Sequence, residues 1–285
     1  MSRGESPAIA SRRRTGLLAV TAALLGAGLG TACAEVGLAP DEAAAIELTP
    51  FPSPSVVLGD TLRNIDGVVT PVRALVFNVR GDLIDDAAPR YLYADYNKDS
   101  ALAVDSASGL VIAKRLANGD RRIAARIGAS LQALRPLRVV PRPDSVSGTN
   151  VTTVLGTSVP DTGRADAVRN TTRDLTVSVY HLEAGVPSAG RSWPVRFQLL
   201  SPANPGNDTT AGVYLVDDQG RASTLDTTDD SGLAGRRVRV RALKFPTGAA
   251  VETVVVRAVV TYRGQPLKGS PVRLTAPVRR GSASP

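Results

Sequence analysis

The sequence predicts an all-β protein with two tandem β-sandwiches, and three observations lead to this fold class. Short runs of alternating apolar and polar residues recur along the 285-residue chain, which is the pattern of half-buried strands. The chain contains 26 Gly and 20 Pro, and many of them fall between the runs, as turns require. Beyond the N-terminal segment, no stretch of helical length carries a sustained apolar stripe at three- and four-residue spacing.

The alternating runs form two groups, each of the size of one sandwich, which is about 100 residues. The first group has its apolar positions at Leu75, Phe77, Val79, Tyr91, Tyr93, Ile123, Ala125, Ile127, Leu137 and Val139. The second group has them at Leu175, Val177, Val179, Trp193, Val195, Phe197, Leu199, Val213, Leu215, Val238, Val240, Ala242, Val254, Val256, Ala258 and Val260. We expect these side chains to face the two cores.

Changes in composition divide the rest of the chain. A Pro-rich tether at residues 34–54 leads into the first sandwich, which is predicted at 47–140. The breaker-rich segment 141–171 predicts a linker, and the second sandwich is expected at 172–277. Residues 278–285 predict a disordered tail.

The N-terminal residues 1–33 predict a secretory signal peptide. The segment begins with basic residues, Arg3 and Arg12 to Arg14, and continues as an uncharged run at 17–32. This run is short for a membrane span, which needs about 20 apolar residues, and three glycines dilute it. Export from the cytoplasm is therefore expected.

The single cysteine of the chain, Cys33, directly follows this run in the context LGTACA. This context resembles the lipobox of bacterial lipoproteins, in which the cysteine becomes the mature N-terminus and carries acyl chains. Gly30 departs from the family pattern, which prefers an aliphatic residue at that position. The resemblance implies a lipid anchor at Cys33. The alternative is a periplasmic or secreted protein that is cleaved at the A-x-A site formed by residues 32–34, which leaves no cysteine in the mature chain.

Two family patterns overlie the predicted sandwiches. In the first half, ALAVDSASGLVIA at 101–113 is followed by Gly119 and IAA at 123–125. This half resembles the bacterial Ig-like group 2 domains over residues 47–140, with a tyrosine, Tyr91 or Tyr93, where the family has Trp. A large aromatic residue suits the same place in a core.

In the second half, the step GVPSAG at 185–190 leads to Val195 and Phe197, and DQGRA follows at 218–222. This half is similar to the invasin-like group 1 Ig-like domains. A shorter echo of the same step, GQPLKGSPVRL at 264–274, is either the final hairpin of this domain or the start of a truncated third repeat. The two resemblances imply Ig-like sandwiches that serve adhesion or cell-surface scaffolding.

The scarcity of reactive residues excludes common chemistries. One His and one Cys are too few for a Cys/His zinc site or a disulfide framework. His181 ends a predicted strand face, and we expect it to be packed, because a general base needs an oriented partner and a nucleophile. Trp193, at the start of a strand, is predicted to lie in the core.

Acidic residues occur in patterns that suit turns better than catalysis or metal binding. The pairs at 85–86, 217–218 and 229–230 fall between predicted strands, where Asp bonds to local backbone. Residues 95–99 begin like an EF-hand loop, but Ser replaces the sixth-position Gly and the twelfth-position Glu. No metal site and no cofactor are therefore predicted, while oxygen-ligand calcium at the domain junction stays open as an alternative.

Three arginines, Arg237, Arg239 and Arg241, alternate with apolar residues on one predicted strand. Their guanidinium groups are expected on one sheet face, about 7 Å apart. One interpretation is a solvated face that discourages edge-to-edge pairing. The other is an anion-binding ladder for acidic polysaccharide or lipopolysaccharide. Nucleic acid is not an expected partner, because no aromatic residues accompany the stripe.

These features together predict an exported, lipid-anchored cell-envelope protein. Its Ig-like domains are expected to act as adhesive, binding or spacer modules, with the membrane and an envelope polysaccharide or surface protein as partners. No enzymatic activity is expected. The alternative is a carbohydrate-binding or glycan-processing envelope protein, and a glycosidase would need two carboxylates that converge in a cleft.

Overall fold

The computed structural model describes residues 42–95, 99–157, 161–244 and 251–279, which form two successive β-sandwiches. The predicted all-β class with two tandem Ig-like sandwiches is confirmed. The strands of the first sandwich are β1 (Ala43–Leu48), β2 (Ser55–Val57), β3 (Ala74–Asn78), β4 (Arg90–Tyr93), β5 (Leu102–Val104), β6 (Val111–Ala113), β7 (Asp120–Ile127) and β8 (Leu131–Val140).

The first sandwich has one four-stranded sheet and two strand pairs. The sheet has the order β2-β8-β7-β4, with β2 parallel to β8 and the other pairs antiparallel. The antiparallel pairs are β1 with β3 and β5 with β6, and β1 packs against β7 and β8. Leu62, Ile123 and Leu137 are almost completely buried in the core.

One strand of this sandwich presents the opposite face from the predicted one. Leu75 of β3 and Val79, which directly follows β3, were expected in the core, but they are 37% and 47% exposed, and Val76 is buried instead. The sequence from 74 to 79 is apolar at almost every position, so alternation does not choose a face. The tertiary structure decides the face, because β3 pairs with β1, Val76 lies opposite Ile46, and Val76 is 2% exposed.

The second sandwich contains the remaining elements. They are β9 (Ser145–Thr149), β10 (Leu155–Gly156), helix α1 (Arg164–Arg169), β11 (Leu175–Glu183), β12 (Val186–Ala189), β13 (Pro194–Ser201), β14 (Val213–Val216), β15 (Leu225–Thr227), β16 (Leu233–Val240), β17 (Glu252–Val259), β18 (Thr261–Tyr262), β19 (Gln265–Pro266) and β20 (Val272–Arg279). One sheet has the order β10-β20-β17-β13-β15, and the other has β12-β11-β16-β14 with β9 added to β11.

The core of this sandwich follows the predicted alternation. Leu175, Val177 and Val179 of β11 face Val195 and Phe197 of β13, and all five are at most 1% exposed. Branched side chains at every second position suit a pleated strand with one buried face. The alternating pattern therefore placed these inward positions correctly.

Much of the predicted linker belongs to the second sandwich. Within 141–171, β9 pairs with β11, β10 pairs with β20, and α1 follows. Gly148 interrupts the apolar alternation of β9 for a physical reason, since a Cβ there would lie 2.8 Å from Leu274 Cδ2. One of the glycines on which the linker prediction was based thus allows two sheets to approach each other closely.

The segment 264–277 ends in β20, which pairs with β17 inside a five-stranded sheet. It is therefore part of the second sandwich. Among the described residues, no helix is long and apolar enough to span a membrane. The predicted signal segment 1–33, including Cys33, lies outside the described residues. Residues 280–285 of the predicted tail also lie outside them, but the tail does not begin at 278, because Val278 is buried in β20.

Candidate functional site

The two sandwiches meet through a shared apolar cluster. Val57 and Val140, at the ends of β2 and β8, are buried in the same cluster as Trp193 and Leu267 of the second sandwich. Trp193 is 8% exposed and approaches the ring of Tyr262 edge-on, with 6.2 Å between ring centres. Trp193 is thus buried as predicted, but the structure places it at the domain junction.

A buried carboxylate beside this cluster receives hydrogen bonds from both sandwiches. Asp60 is 5% exposed, and its Oδ2 accepts from Arg263 Nε at 2.8 Å and from the Tyr262 hydroxyl at 3.0 Å. Arg63, in the same sandwich as Asp60, donates its Nε to Oδ2 at 3.0 Å. We call Asp60, Arg63, Tyr262 and Arg263 the junction cluster.

The charge state of Asp60 follows from these contacts. Burial raises the pKa of the carboxyl group, but hydrogen bonds from Arg263, Arg63, the Thr61 backbone and Tyr262 outweigh that effect. The pKa of Asp60 therefore lies well below its usual range. An ionised, buried carboxylate with donors in both sandwiches ties the two domains together.

Direct polar contacts extend the junction on several sides. The Ser55 hydroxyl donates to the Ser192 carbonyl at 2.7 Å, and the Thr261 hydroxyl donates to the Ile65 carbonyl at 3.0 Å. Nearer the surface, Arg138 reaches Asp230 across the junction at 2.9 Å. Each of these contacts joins one sandwich to the other.

A glycine allows the closest backbone approach between the domains. Gly67, in a turn of the first sandwich, has a φ of +84°, and a Cβ there would lie 2.8 Å from Gly264 Cα. It would also overlap the backbone of Arg263. A residue with a side chain therefore fits neither the turn nor the junction.

The three arginines of the predicted ladder do not form a free row. Arg237 pairs with Asp174 at 2.8 Å, and Arg239 is 8% exposed and paired with Asp161. Arg241 lies after the end of β16 and donates to the Thr209 carbonyl at 2.7 Å. Alternation correctly put Arg237 and Arg239 on the outward face, but partners from distant segments neutralise them. The sequence pattern does not reveal those partners, because Asp174 and Asp161 are 63 and 78 residues away.

 The outward face of β16 forms the floor of a cavity of about 600 Å³. Tyr214 of the edge strand β14, residues 171–174 just before β11, and the helix α1 line this cavity. Two further arginines, Arg164 and Arg173, line it, and both are exposed. We call this cavity the β16 groove. Sequence reasoning missed Arg164 and Arg173, because neither belongs to an alternating run.

His181 lies at the end of β11, on the predicted strand face, and lines a second cavity of about 630 Å³ next to the domain junction. Its Nδ1 is buried and has no hydrogen-bond partner among the described residues. Ser188, its cross-strand neighbour, donates to Glu183 at 3.4 Å. No hydrogen bond within the described part of the chain thus joins His181 to a hydroxyl nucleophile.

The acidic residues that begin the EF-hand-like run are held by arginines. Asp95 pairs with Arg122, and Asp99 pairs with Arg121 at 2.7 Å. A hydrogen bond from Tyr93 is the main cause that lowers the pKa of the Asp99 carboxyl group. Within the four described ranges, no group of three His, Cys, Asp or Glu side chains is placed to hold a metal ion.

The acidic pairs at 217–218 and 229–230 serve turns, as the sequence predicts. Asp217 accepts the backbone N–H groups of Gln219 and Arg221, and Asp229 accepts that of Leu233. Burial raises the pKa of Asp217, but the bonds from Arg221 and Gln219 outweigh it and leave the pKa lowered. Such a carboxyl group is ionised and does not suit the role of general acid.

No protein-family model matches this chain, and no curated protein matches it. Solved structures give only distant similarity. The native conformation of E. coli alpha-2-macroglobulin has 14% identity and a TM-score of 0.31, over 86% of this chain and 14% of that one. The S-layer protein rSbsC(31-844) has 12% identity and a TM-score of 0.30, over 86% and 29%.

A third similar structure is Protocadherin Gamma B7 extracellular cadherin domains 1-4, with 11% identity and a TM-score of 0.27, over 85% of this chain and 51% of that one. The chain thus spans between 14% and 51% of the length of these three structures. The class of protein therefore rests on the observed architecture, a pair of Ig-like β-sandwiches.

Proposed function

We propose that this chain is an exported, lipid-anchored cell-envelope protein whose two Ig-like sandwiches form one rigid adhesive and spacer unit. The signal-like segment 1–33 and the lipobox-like context of Cys33 support export and anchoring. The observation that carries the proposal is the domain junction, where a buried apolar cluster and an ionised carboxylate are shared by both sandwiches.

Rigidity follows from the nature of this junction. Domains in one chain move relative to each other unless their interface is large and hydrophobic. Here Val57 and Val140 continue the core of the second sandwich, and separation of the domains would break the hydrogen bonds that Tyr262 and Arg263 donate to Asp60. A fixed angle between the domains holds the second sandwich at a defined position relative to the first, whose strand β1 already begins within the predicted tether at 34–54.

Rigidity is tested by a distance measurement between the domains. Leu83 and Val186 are both well exposed, one in each sandwich, so Leu83→Cys and Val186→Cys can carry spin labels in a Cys33→Ser background. We expect a single narrow distance distribution by pulsed electron paramagnetic resonance. A broad distribution, as wide as that of a flexible linker, would contradict a rigid unit.

Anchoring is tested separately. Cys33→Ser removes the thiol that acyl transfer needs, so we expect the protein to move to the soluble fraction and to lose labelling by a fatty-acid probe. Ala34→Ser serves as the matched control, because it leaves the thiol in place. Unchanged membrane association of Cys33→Ser would overturn the lipid anchor.

The second candidate function, carbohydrate binding, is favoured by the β16 groove, which combines arginines with Tyr214. Glycan cleavage has less support than binding. Two of the groove carboxylates, Asp174 and Asp217, are paired with arginines, whereas a glycosidase acid needs a raised pKa. We therefore propose a binding protein without enzymatic activity.

A further inference from the structure

The β16 groove has a floor of sheet residues and two walls. On the outward face of the sheet, Tyr214 of β14 is directly opposite Arg239 of β16, and Thr171 is bridged to Arg239 on its other side. The helix α1 forms one wall, and the turn at 217–220 forms the other. The groove is open to solvent and has the size of a small-ligand site, which is roughly 300–1,000 Å³.

The arginines that line the groove differ in whether a carboxylate among the described residues pairs with them. Arg237 and Arg239 are paired with Asp174 and Asp161. Arg164 and Arg173 line the same groove, are exposed, and have no ion-pair or hydrogen-bond partner among the described residues. Two guanidinium groups are thus available to an incoming anion without breaking an internal contact.

Other groups in the groove suit a ligand that carries hydroxyl groups. The half-buried ring of Tyr214 offers an aromatic surface, and the Arg241 guanidinium lies 5.8 Å from its centre. Gln219 and Asp218, in the turn wall, are exposed and can donate to or accept from hydroxyl groups. Asp218 also makes the groove less favourable for a ligand with several negative charges close together.

We propose that the β16 groove binds a saccharide unit that carries a carboxylate, as in an acidic polysaccharide. Arg164 and Arg173 bind the carboxylate, because a planar guanidinium matches a carboxylate with two parallel hydrogen bonds. Tyr214 packs against the sugar ring, and the turn at 217–220 binds its hydroxyl groups. This inference rests on the proposed function, since it names the ligand class of an adhesive envelope module.

The test uses the full chain in detergent and three probes in calorimetric titrations. Trigalacturonic acid supplies carboxylated sugars, maltotriose is a neutral trisaccharide, and glucose 6-phosphate supplies a phosphate on a sugar. We expect binding of trigalacturonic acid and at least tenfold weaker binding of the other two. Absence of trigalacturonic acid binding would overturn the proposal, and equal or tighter glucose 6-phosphate binding would overturn the carboxylate assignment.

Variants locate the site. Arg164→Ser combined with Arg173→Ser should weaken trigalacturonic acid binding at least tenfold, because both guanidinium groups are lost. Arg273→Ser is the matched control, since Arg273 is an exposed arginine on β20 in the same sandwich, outside the groove. Wild-type affinity in the double variant would overturn the assignment of these two arginines.

A conservative variant separates a loss of binding from a loss of the fold. Arg164→Lys with Arg173→Lys keeps both charges but removes the bidentate geometry, so we expect an intermediate affinity with an unchanged circular dichroism spectrum. If the lysine variant binds as tightly as the wild type while its spectrum is native, the bidentate contact does not contribute, and the assignment of the carboxylate to two guanidinium groups fails. These titrations do not depend on membrane association or on domain rigidity, so their failure is distinct from failure of the proposed function.

Discussion

Arginines in two regions of the second sandwich show opposite behaviour. At the junction, Arg263 is committed to Asp60, a carboxylate that is 5% exposed and is also bonded to Tyr262. In the β16 groove, Arg164 and Arg173 are exposed and have no partner among the described residues. All three residues are arginines, but Arg263 is held in place by contacts inside the protein, whereas Arg164 and Arg173 can bind a ligand.

The role of each arginine therefore depends on whether its partner is buried, and not on the charge of the arginine itself. A buried carboxylate must keep its donors, because an unpaired buried charge is strongly destabilising. An exposed guanidinium is stable in water and needs no internal partner. Changes at the junction should therefore affect stability, and changes in the groove should affect binding.

The largest effect is expected from Asp60→Ala. Loss of the shared carboxylate leaves Arg63, Arg263 and the Tyr262 hydroxyl without their acceptor, so the free energy of unfolding should fall by about 3 kcal/mol. Trp193 is the single tryptophan of the chain and lies at the junction, so its fluorescence during denaturant unfolding reports the loss directly.

Asp66→Ala is the matched control for this measurement. Asp66 also pairs across the domains, with Arg196, but both side chains are about half exposed. An exposed pair contributes about 1 kcal/mol or less, so the control should change little. A loss for Asp60→Ala no greater than that of the control would show that the junction cluster does not hold the domains together.

The next largest effect is expected from Gly67→Ala. The new Cβ meets the Gly264 backbone, and a φ of +84° is strained for alanine, so the domains should separate locally at a cost of about 2 kcal/mol. Gly81→Ala has a similar positive φ but open space around it, and it isolates the backbone strain from the clash. Equal losses in the two variants would argue against close approach of the domains at Gly67.

A smaller effect is expected from acid. Because hydrogen bonds hold the pKa of Asp60 below its unfolded value of about 3.9, its contribution is complete above that pH and is lost as the pH falls further. The Trp193 emission should stay constant from about pH 8 to pH 5 and change below about pH 4. Asp60→Ala should lack this part of the acid transition. A loosening of the junction between about pH 5 and pH 8 would contradict the assignment.

The smallest effect on stability is expected from Arg237→Ser. Arg237 and Asp174 are both partly exposed, so their ion pair should contribute less than about 1 kcal/mol. Thermal unfolding of this variant should therefore differ little from the wild type. A large loss would mean that the outward face of β16 is held together by this pair, as the junction is by Asp60.

Local pattern predicted much of the fold. Alternation at Leu175, Val177 and Val179 identified the buried face of β11, because a strand with one apolar face leaves a single choice of orientation. It failed for β3, where both faces are apolar and Val76 rather than Leu75 is buried. The prediction of a linker at 141–171 was wrong for β9, because Gly148, one of the residues on which it was based, allows close packing of the two sheets.

The candidate sites were predicted less completely than the fold. Arg237 and Arg239 were placed on the correct face, yet their partners were not foreseen, since ion pairs between distant segments leave no local pattern. Asp60 carried no signal beyond a common acidic residue near a turn. Its donors Tyr262 and Arg263 lie 202 and 203 residues away in the sequence.

The spacing of apolar residues along the chain was enough to predict the all-β class, the two sandwiches and most core positions. Which arginines pair with carboxylates inside the protein, and which can bind a ligand, follows only from the tertiary structure. That outcome depends on how deeply each partner carboxylate is buried, and burial is set by the packing of segments that are far apart in sequence.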